Sequence, residues 1–469
     1  MSRLYLFAIG GTGSRVLRSL TMMLSCGVDI GIKEIVPIII DPDVSNASLT
    51  KTVSLMNKYS SIREKLSFGD SNGFFGTEIN QILPNYTLPI RDTDNKRFDE
   101  FICYSSMSKT NQAMTSMLFS DENLSSSMEV GFKGNPNIGS VVLNQIAVDS
   151  NFLSFAQSFS QGDKIFIISS IFGGTGASGF PLLLKTLRTS KQIPNHNLIN
   201  NAEIGALSIL PYFKVDNTEN KAIDSSSFIS KTKSALAYYE KNVIGNGSIN
   251  AMYFLADADS MNTYSYSEGG GQQDNAAHLI EFFGATAIID FAKNNYATKS
   301  ENLELGLENY ENDILFKHIP DGLKKTFKYP MAQMLLFNNY LTYNLDGFKN
   351  SKCAVQSLNL TEGFYTSPYF NNVKGFLSAF KIWLKEMRNN KRSLKLFNLE
   401  KPANPFDIIT EEKPKSSSIF GQDNYETITS ELNKQTKNKN IDNTLSLEDR
   451  FMRLFYAVTK KLIEKRIGE

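Results

Sequence analysis

The stretch that decides the fold is "SSIFGGTGASGF", Ser169–Phe180, where an apolar run leads directly into three glycines and a threonine. A second stretch, "FAIGGTGSRVL" at Phe7–Leu17, repeats this arrangement near the N-terminus. A glycine-rich turn between a strand and a helix lets the backbone come close to a phosphate, and the free amides of the helix N-terminus favour its charge. The sequence therefore predicts two phosphate-binding turns in one chain.

The two turns belong to an alternating series of predicted strands and helices. The short apolar runs "RLYLFAI", "EIVPIIID", "DKIFIISSI", "EIGALSILPYF" and "INAMYFLADAD" predict buried strands. Segments with helical spacing of apolar residues lie between and after them, including Ser14–Gly27 and the long Asp274–Asn294. Strands that alternate with helices indicate an α/β fold with a doubly wound parallel sheet.

The length of 469 residues and the hydrophobic content of 41% predict two domains and a tail. The sheet occupies a first domain, 1–295, and a smaller domain, 296–400, is predicted to be mainly helical or α+β. The polar segment 401–445 contains three prolines and the run "NKQTKNKN", which indicates a flexible linker. The segment 446–469 predicts an amphipathic helix with Ser446 as its cap. We expect this helix either to dock on the protein itself or to bind a protein partner or a membrane surface.

Composition excludes several classes of function. The chain has 49 basic and 48 acidic side chains, so it lacks the broad positive field of a nucleic-acid-binding protein. Its apolar runs are too short for a secretory signal or a membrane span, and we expect a cytoplasmic protein. Cys26, Cys103 and Cys353 lie far apart without a CxxC pair, so neither a zinc site nor a disulfide framework is predicted.

Two familiar phosphate sites compete for the first turn. The turn lacks the lysine of GxxxxGK[ST], which argues against a P-loop mechanism. A Rossmann dinucleotide site remains an alternative, because Asp41 ends the second strand, where an acid would bind a ribose hydroxyl. That alternative leaves the second turn unexplained, together with a third glycine loop, "VGFKGNPNIGS" at Val130–Ser140. Three loops at one edge of a sheet suit a triphosphate.

This set of motifs resembles the tubulin and FtsZ superfamily. The shared segments, in the same order, are "GGTGS", "IIDPDVSN", "GNPNIG", "FGGTGAS" and "QQDNAAHLI", the last at the start of the long central helix. The resemblance covers about Met1 to Asn295. It implies a Rossmann-like GTPase domain with a parallel sheet, and an insertion relative to FtsZ at about 46–129.

The resemblance also implies a GTP or GDP site with Mg²⁺. The residues it assigns to the phosphates lie in the three glycine loops: Gly10, Gly11, Thr12, Gly13 and Ser14; Gly134 and Asn135 at the terminal phosphate; and Gly173, Gly174, Thr175 and Gly176. Asn275 would read the guanine edge, although a helix cap is the alternative for this residue. Asp41 or Asp43 is the candidate for holding Mg²⁺, since hard carboxylate oxygens suit that ion; ordinary turn chemistry is the alternative for "DPD".

The catalytic residues are less clearly marked. In FtsZ and tubulin an acidic loop after the central helix enters the site of the neighbouring subunit, and this chain has no clear match to it. Asp313 and Asp321 are the catalytic candidates, with solvated surface acids as the alternative. Three functions remain open: a GTPase that self-associates head to tail into cytoskeletal filaments, a GTP-binding switch or scaffold with little hydrolysis, and a dinucleotide-dependent oxidoreductase.

Overall fold

The computed structural model of the chain describes residues 2–43, 45–67, 73–93, 95–128, 131–132, 134–216, 225–257, 262–265, 275–304, 313–415, 423–437 and 444–468. Its main feature is a seven-stranded sheet in which all neighbouring strands are parallel. Among the described residues the strands are β1 (Arg3–Ile9), β2 (Glu34–Ile40), β3 (Glu78–Ile79), β4 (Lys164–Ser170), β5 (Glu203–Ile209), β6 (Phe213–Asp216), β7 (Ala251–Leu255), β8 (Asn262–Ser265), β9 (Glu301–Glu304), β10 (Asp313–Ile314) and β11 (Ser393–Leu394). The order in the main sheet is β3-β2-β1-β4-β5-β7-β9, while β6 pairs with β8 and β10 pairs with β11.

Helices cover the sheet and continue beyond it. Among the described residues they are α1 (Gly10–Ser25), α2 (Ala47–Arg63), α3 (Phe98–Phe101), α4 (Lys109–Leu118), α5 (Asp121–Leu124), α6 (Pro136–Leu143), α7 (Ser150–Ser158), α8 (Gly174–Thr189), α9 (His196–Asn200), α10 (Ser225–Tyr239), α11 (Leu279–Lys293), α12 (Asp321–Lys349), α13 (Glu362–Tyr365), α14 (Pro368–Arg388), α15 (Tyr425–Lys437) and α16 (Leu447–Arg466). The α/β architecture with a parallel sheet and a buried helix behind it, predicted from the alternating pattern, is confirmed.

The strand runs predicted from the sequence form the centre of the sheet because both of their faces are covered. In β1, β2, β4 and β5 every residue after the first is buried. Helix α11 packs closely on this centre, since Gly205 has no side chain: a Cβ at this position would lie 2.6 Å from the ring of Phe291. A continuous apolar run therefore gives a strand that is buried on both sides.

The central helix α11 begins later than predicted. Its first residue is Leu279, and His278 is the N-cap, with Nδ1 accepting a hydrogen bond from the Ile280 amide at 3.2 Å. Glu281 completes the capping box by accepting from the His278 amide. The prediction that the helix starts at Asp274 is therefore wrong, because a histidine replaces the usual small polar cap and hides the start signal.

The helices after residue 295 share one hydrophobic core with the sheet. The main sheet itself continues to β9, past the predicted boundary at 295. Helix α14 is bound to α1 through Trp383, whose Nε1 donates to Ser19 Oγ at 3.3 Å, and through an Arg18–Glu386 ion pair at 3.0 Å. The mainly helical character predicted for 296–400 is confirmed, whereas the domain boundary stays a prediction.

The flexible linker predicted for 401–445 is wrong for the residues that the structure describes. Phe406, Ile408 and Ile409 are fully buried. Helix α15 also lies within this segment, and its Ile428 and Leu432 are fully buried at a spacing of one helical turn. The polar composition of this segment indicated a linker. A few apolar residues at helical spacing are nevertheless enough to hold a helix against the core. The positions 416–422 and 438–443 lie outside the described residues.

Helix α16 docks on the protein itself. Ser446 caps it as predicted, accepting a hydrogen bond from the Asp449 amide at 3.1 Å. The predicted apolar face, Phe451, Leu454, Phe455, Val458 and Leu462, is buried. Phe455 contacts Phe337 of α12 with ring centroids 4.7 Å apart. Of the two alternatives, docking on the protein itself is therefore confirmed for the apolar face, and a partner or membrane surface for the helix stays a prediction.

No helix in the described part of the chain combines the length and the apolar character that a bilayer span requires. The three cysteines are free, with Cys26 and Cys353 buried and Cys103 exposed.

Candidate functional site

The first and second glycine loops lie side by side at the carboxyl edge of the sheet. The first follows β1, and Gly10 leaves the strand with φ of +74°, a left-handed conformation that glycine adopts without strain. A Cβ on Gly10 would lie 3.7 Å from Thr175 Cβ and 3.9 Å from the Gly176 amide nitrogen in the second loop, which follows β4. The two motifs that are far apart in sequence therefore form one surface.

The third glycine loop reaches the same surface. Gly134 also has a positive φ, of +71°, and Asn135 begins α6 as its N-cap. A Cβ on Gly174 would lie 3.1 Å from the amide nitrogens of both Gly134 and Asn135. The second and third loops are thus packed closely together, and a side chain at Gly174 would require the third loop to shift by a few tenths of an ångström. Val130 and Lys133 of this motif lie outside the described residues.

The helices that start at the first two loops lack side-chain caps. The N-cap positions are Ile9 for α1 and Gly173 for α8, and neither provides a side-chain hydrogen bond to its helix. Helices α2, α4, α14 and α16 are instead capped by Asn46, Ser108, Ser367 and Ser446. Neither α1 nor α8 has an acidic residue in its first turn. Two neighbouring helix N-termini therefore offer amide groups and positive dipole ends to an anion.

Lys231 of α10 brings a cation to the glycine loops, and sequence reasoning missed it. Its Nζ donates a hydrogen bond to the Gly134 carbonyl at 2.8 Å. A Cβ on Gly134 would lie 3.7 Å from the same nitrogen. Burial lowers the pKa of Lys231. Lys231 lies 97 residues after Gly134, so the sequence of the glycine loop does not mark it.

Asp41 and Asp43 follow β2, whose last residue, Ile40, pairs with Ile9 just before the first loop. Both carboxylates are buried, and the Asp43 amide donates to Asp41 Oδ1 at 3.1 Å. Burial, together with the charge of Asp43, raises the pKa of Asp41 to about 7. Asn46, the N-cap of α2, also lies near the first loop. A Cβ on Gly11 would lie 3.9 Å from Asn46 Nδ2. A divalent cation near these carboxylates would relieve their mutual repulsion.

The described residues contain no group of three histidine, cysteine, aspartate or glutamate side chains that could hold a metal ion. Asp41 and Asp43 alone would not fill the coordination shell of Mg²⁺. That ion usually keeps several waters and binds through one or two carboxylates together with phosphate oxygens. The pair therefore fits a cation that arrives with a nucleotide.

A buried polar network ties the first loop to α11. Arg15 Nε and Glu281 Oε1 are 2.5 Å apart, and Arg15 Nη2 donates to Tyr212 Oη at 2.6 Å. Burial opposes the positive charge, but Tyr212 and Glu281 outweigh it and keep the pKa of Arg15 above its ordinary value. The His278 ring packs at a tilt against Tyr212, with ring centroids 4.9 Å apart, and burial lowers the pKa of His278. This network joins the N-terminal part of α1 to α11, and no sequence motif connects its members.

The remaining predicted residues are placed differently. Ser14 is fully buried, and its hydroxyl donates to the Gly10 carbonyl at 3.4 Å. Asn275 precedes the cap of α11 and is partly exposed. Asp313 pairs with Lys395 at 2.7 Å, and Asp321, at the start of α12, pairs with Lys324 at 2.6 Å. The structure describes no contact between either catalytic candidate and the glycine loops. The roles of all four residues stay predictions.

No protein-family model matches the sequence, and no curated protein matches it. One similar solved structure is CetZ from Methanosaeta thermophila strain DSM 6194, with 14% identity and a TM-score of 0.29 over 55% of this chain and 46% of that chain. Another is CetZ2 from Haloferax volcanii, a GTPγS-bound protofilament, with 13% identity and a TM-score of 0.32 over 62% of this chain and 58% of that chain. The chain spans about half of the length of these two proteins. At these values the likeness does not establish what the chain binds.

Proposed function

We propose that the chain is a tubulin/FtsZ-like protein that binds GTP through its three glycine loops. The observation that carries the proposal is the convergence of these loops, with Gly174 backed directly by the amides of Gly134 and Asn135. A turn that serves packing alone has no need of two further glycine motifs from distant parts of the chain. The guanine preference comes from the sequence resemblance, with Asn275 as the proposed contact.

The donor set fits a polyphosphate with a bound metal ion. The uncapped N-termini of α1 and α8 would accept phosphate oxygens, and the ammonium group of Lys231 would neutralise part of their charge. Asp41 and Asp43 would hold Mg²⁺ through their carboxylate oxygens. A metal ion bound there would supply charge stabilisation of the phosphates. Arg15 and Glu281 would keep the first turn of α1 in position for this binding.

We further propose that GTP is hydrolysed and that the chain self-associates head to tail into filaments, with catalysis completed between subunits. Asp313 and Asp321 are the proposed acids from the neighbouring copy, because the family resemblance implies an acidic loop after the central helix; within the described residues their ion pairs are with Lys395 and Lys324. A heterologous contact of this type does not close on itself and so produces filaments. The alternative in the same family of functions is a GTP-binding switch or scaffold that hydrolyses GTP slowly or not at all.

A dinucleotide-dependent oxidoreductase is the second candidate, and one observation favours it. The strand order β3-β2-β1-β4-β5-β7 follows the order of a Rossmann sheet, with Asp41 at the end of β2. That function makes no use of the contact between the second and third glycine loops, which is why GTP binding is preferred.

The deciding experiment is to denature the purified full-length chain and to identify the released nucleotide by chromatography. We expect GDP or GTP. Release of NAD or FAD would overturn the proposal in favour of the oxidoreductase. If the protein is purified empty, titration with a fluorescent GTP analogue and with NADH replaces the release assay, and binding of NADH alone would likewise overturn it.

A further inference from the structure

A groove between α12 and α14, outside the nucleotide loops, collects positive charge. It has a volume of about 280 Å³, with Leu341 and Leu377 among the apolar residues that line it. Lys374, Lys381 and Lys385 recur along α14 at intervals of seven and four residues, which places them on one face of the helix. No acidic residue is among those that line the groove. We call this surface the lysine groove.

The cations of the lysine groove are held in place without being neutralised. Lys374 Nζ lies 5.4 Å from the centroid of the Phe370 ring. Lys381 Nζ donates to Tyr343 Oη at 3.0 Å, and Lys401 Nζ lies 5.3 Å from the centroid of the same ring. None of these three lysines pairs with a carboxylate of the described chain, and Lys385 reaches only Glu400, at 3.9 Å. Aromatic rings fix such ammonium groups while leaving their charge available.

A second surface of the chain has the complementary character. No residue of α4 is buried, and its Met114, Met117 and Leu118 are 59%, 87% and 70% exposed. Asp121 and Glu122 follow directly in the first turn of α5, are exposed, and make no ion pair within the described residues. Three bare apolar side chains next to two unpaired acids form a surface that fits an apolar groove rimmed by lysines. We call it the α4–α5 surface.

We infer that the lysine groove binds the α4–α5 surface of a second copy of this chain. Met117 and Leu118 would enter the groove beside Ile382, which is 52% exposed, and the two acids would meet the lysines of α14. The two surfaces differ, so the contact is heterologous and can be repeated from copy to copy. The inference rests on the self-association part of the proposed function and names the two surfaces involved.

The α4–α5 surface is also connected to the nucleotide loops. Asn123 of α5 accepts a hydrogen bond at Oδ1 from Asn135 Nδ2 of the third glycine loop, at 2.6 Å. A ligand that orders the third glycine loop would therefore also order the α4–α5 surface, which carries Asp121 and Glu122. Self-association should be stronger with GTP than without it.

The test is analytical ultracentrifugation of the full chain over a concentration series, with and without GTP. Lys374→Glu with Lys381→Glu, and separately Asp121→Lys with Glu122→Lys, should each weaken association by about tenfold or more. An equimolar mixture of the two double variants should recover it, because each groove then meets a surface of opposite charge. The control, Lys185→Glu with Lys191→Glu on and after α8, should associate like the wild type.

Four results would overturn the inference. The wild type could stay monomeric throughout the series, association could survive both charge reversals, or the mixture could fail to recover. Binding of anionic vesicles or duplex DNA by a monomeric chain, abolished by Lys374→Glu with Lys381→Glu, would assign the groove to another partner and overturn it too. Affinity for a fluorescent GTP analogue, measured on every variant, separates a failed contact from a failed nucleotide site.

Discussion

At the scale of single residues, the candidate site contains a lysine, Lys231, that no sequence motif indicates. The glycines could be predicted because each loop carries its own local signature. Lys231 is one of 49 basic residues and comes from a helix distant in sequence, so only the folded chain shows that it reaches Gly134. Arg15 and Glu281 were equally hidden, because an ion pair between remote positions leaves no pattern in the sequence.

Replacing Lys231 tests the proposed phosphate contact. We expect Lys231→Met to weaken GTP binding by about tenfold to a hundredfold, the loss of one charge-assisted hydrogen bond. Lys231→Arg should retain most of the affinity. Lys233→Met, which removes an exposed lysine from the same helix, is the matched control and should bind normally. Equal affinities for the Lys231→Met and Lys233→Met proteins, measured by fluorescence titration, would exclude this contact.

The pKa of Asp41 predicts a specific dependence of stability on pH. In the folded chain this pKa is raised to about 7, so the folded state binds the proton more tightly than the unfolded state does. The contribution of Asp41 to stability is therefore greatest below its unfolded pKa and is lost as the pH rises through its folded pKa of about 7. Relative to Asp41→Asn, the wild type should lose about 3 kcal/mol between about pH 5 and about pH 8. Urea unfolding without nucleotide or Mg²⁺ measures this, and parallel curves for the two proteins would contradict it.

At the scale of elements, the strands were predicted more reliably than the ends of helices. A buried parallel strand is a continuous apolar run and is easily recognised, as in β1 and β4. Helix α11 begins with a histidine cap, and α15 lies in a stretch of polar composition, so neither start carried the usual signal. The docking of α16 could not be predicted from its amphipathic face. An apolar face of this kind would be needed both to pack on the core of the protein and to bind a partner.

Gly174 is where the loops meet, and a side chain there should separate them. Gly174→Ala places a Cβ 3.1 Å from two backbone nitrogens, which requires the third loop to shift by a few tenths of an ångström. We expect GTP affinity to fall by about tenfold or more, since phosphate contacts depend on such positioning. Gly322→Ala is the control, because a Cβ at Gly322 meets nothing within 4 Å. Normal GTP binding by Gly174→Ala would show that the contact of the loops is dispensable.

Helix α16 should behave as part of the core. Phe455 is fully buried against Phe337, Tyr340, Phe348 and Phe451. We expect Phe455→Ala to lower the free energy of unfolding by about 3–5 kcal/mol, the usual cost of removing a buried ring. Lys460→Ala on the exposed face of the same helix should leave it unchanged. Denaturant unfolding compares the two, and similar values would mean that α16 is bound only loosely.

At the scale of the whole molecule, we have proposed that two copies of the chain complete one GTPase site. If an acid from a neighbouring chain completes the site, the rate of phosphate release per subunit should rise with protein concentration. Asp121→Lys with Glu122→Lys should suppress this rise without changing GTP affinity. A rate per subunit that stays constant would place catalysis within one chain, and the absence of any phosphate release would favour the switch or scaffold.

Helices α1 and α2 are covered by residues from the C-terminal part of the chain, which affects folding during synthesis. Ser19 is bonded to Trp383, and the amide of Ser67, just after α2, is bonded to Asp449, separations of 364 and 382 residues. A ribosome produces the N-terminal part first, so these surfaces stay open to water while the intervening residues are synthesised. Contacts of such long range also close slowly. The nascent protein therefore spends much of its synthesis with apolar surface exposed, and its yield in cells should depend strongly on chaperones.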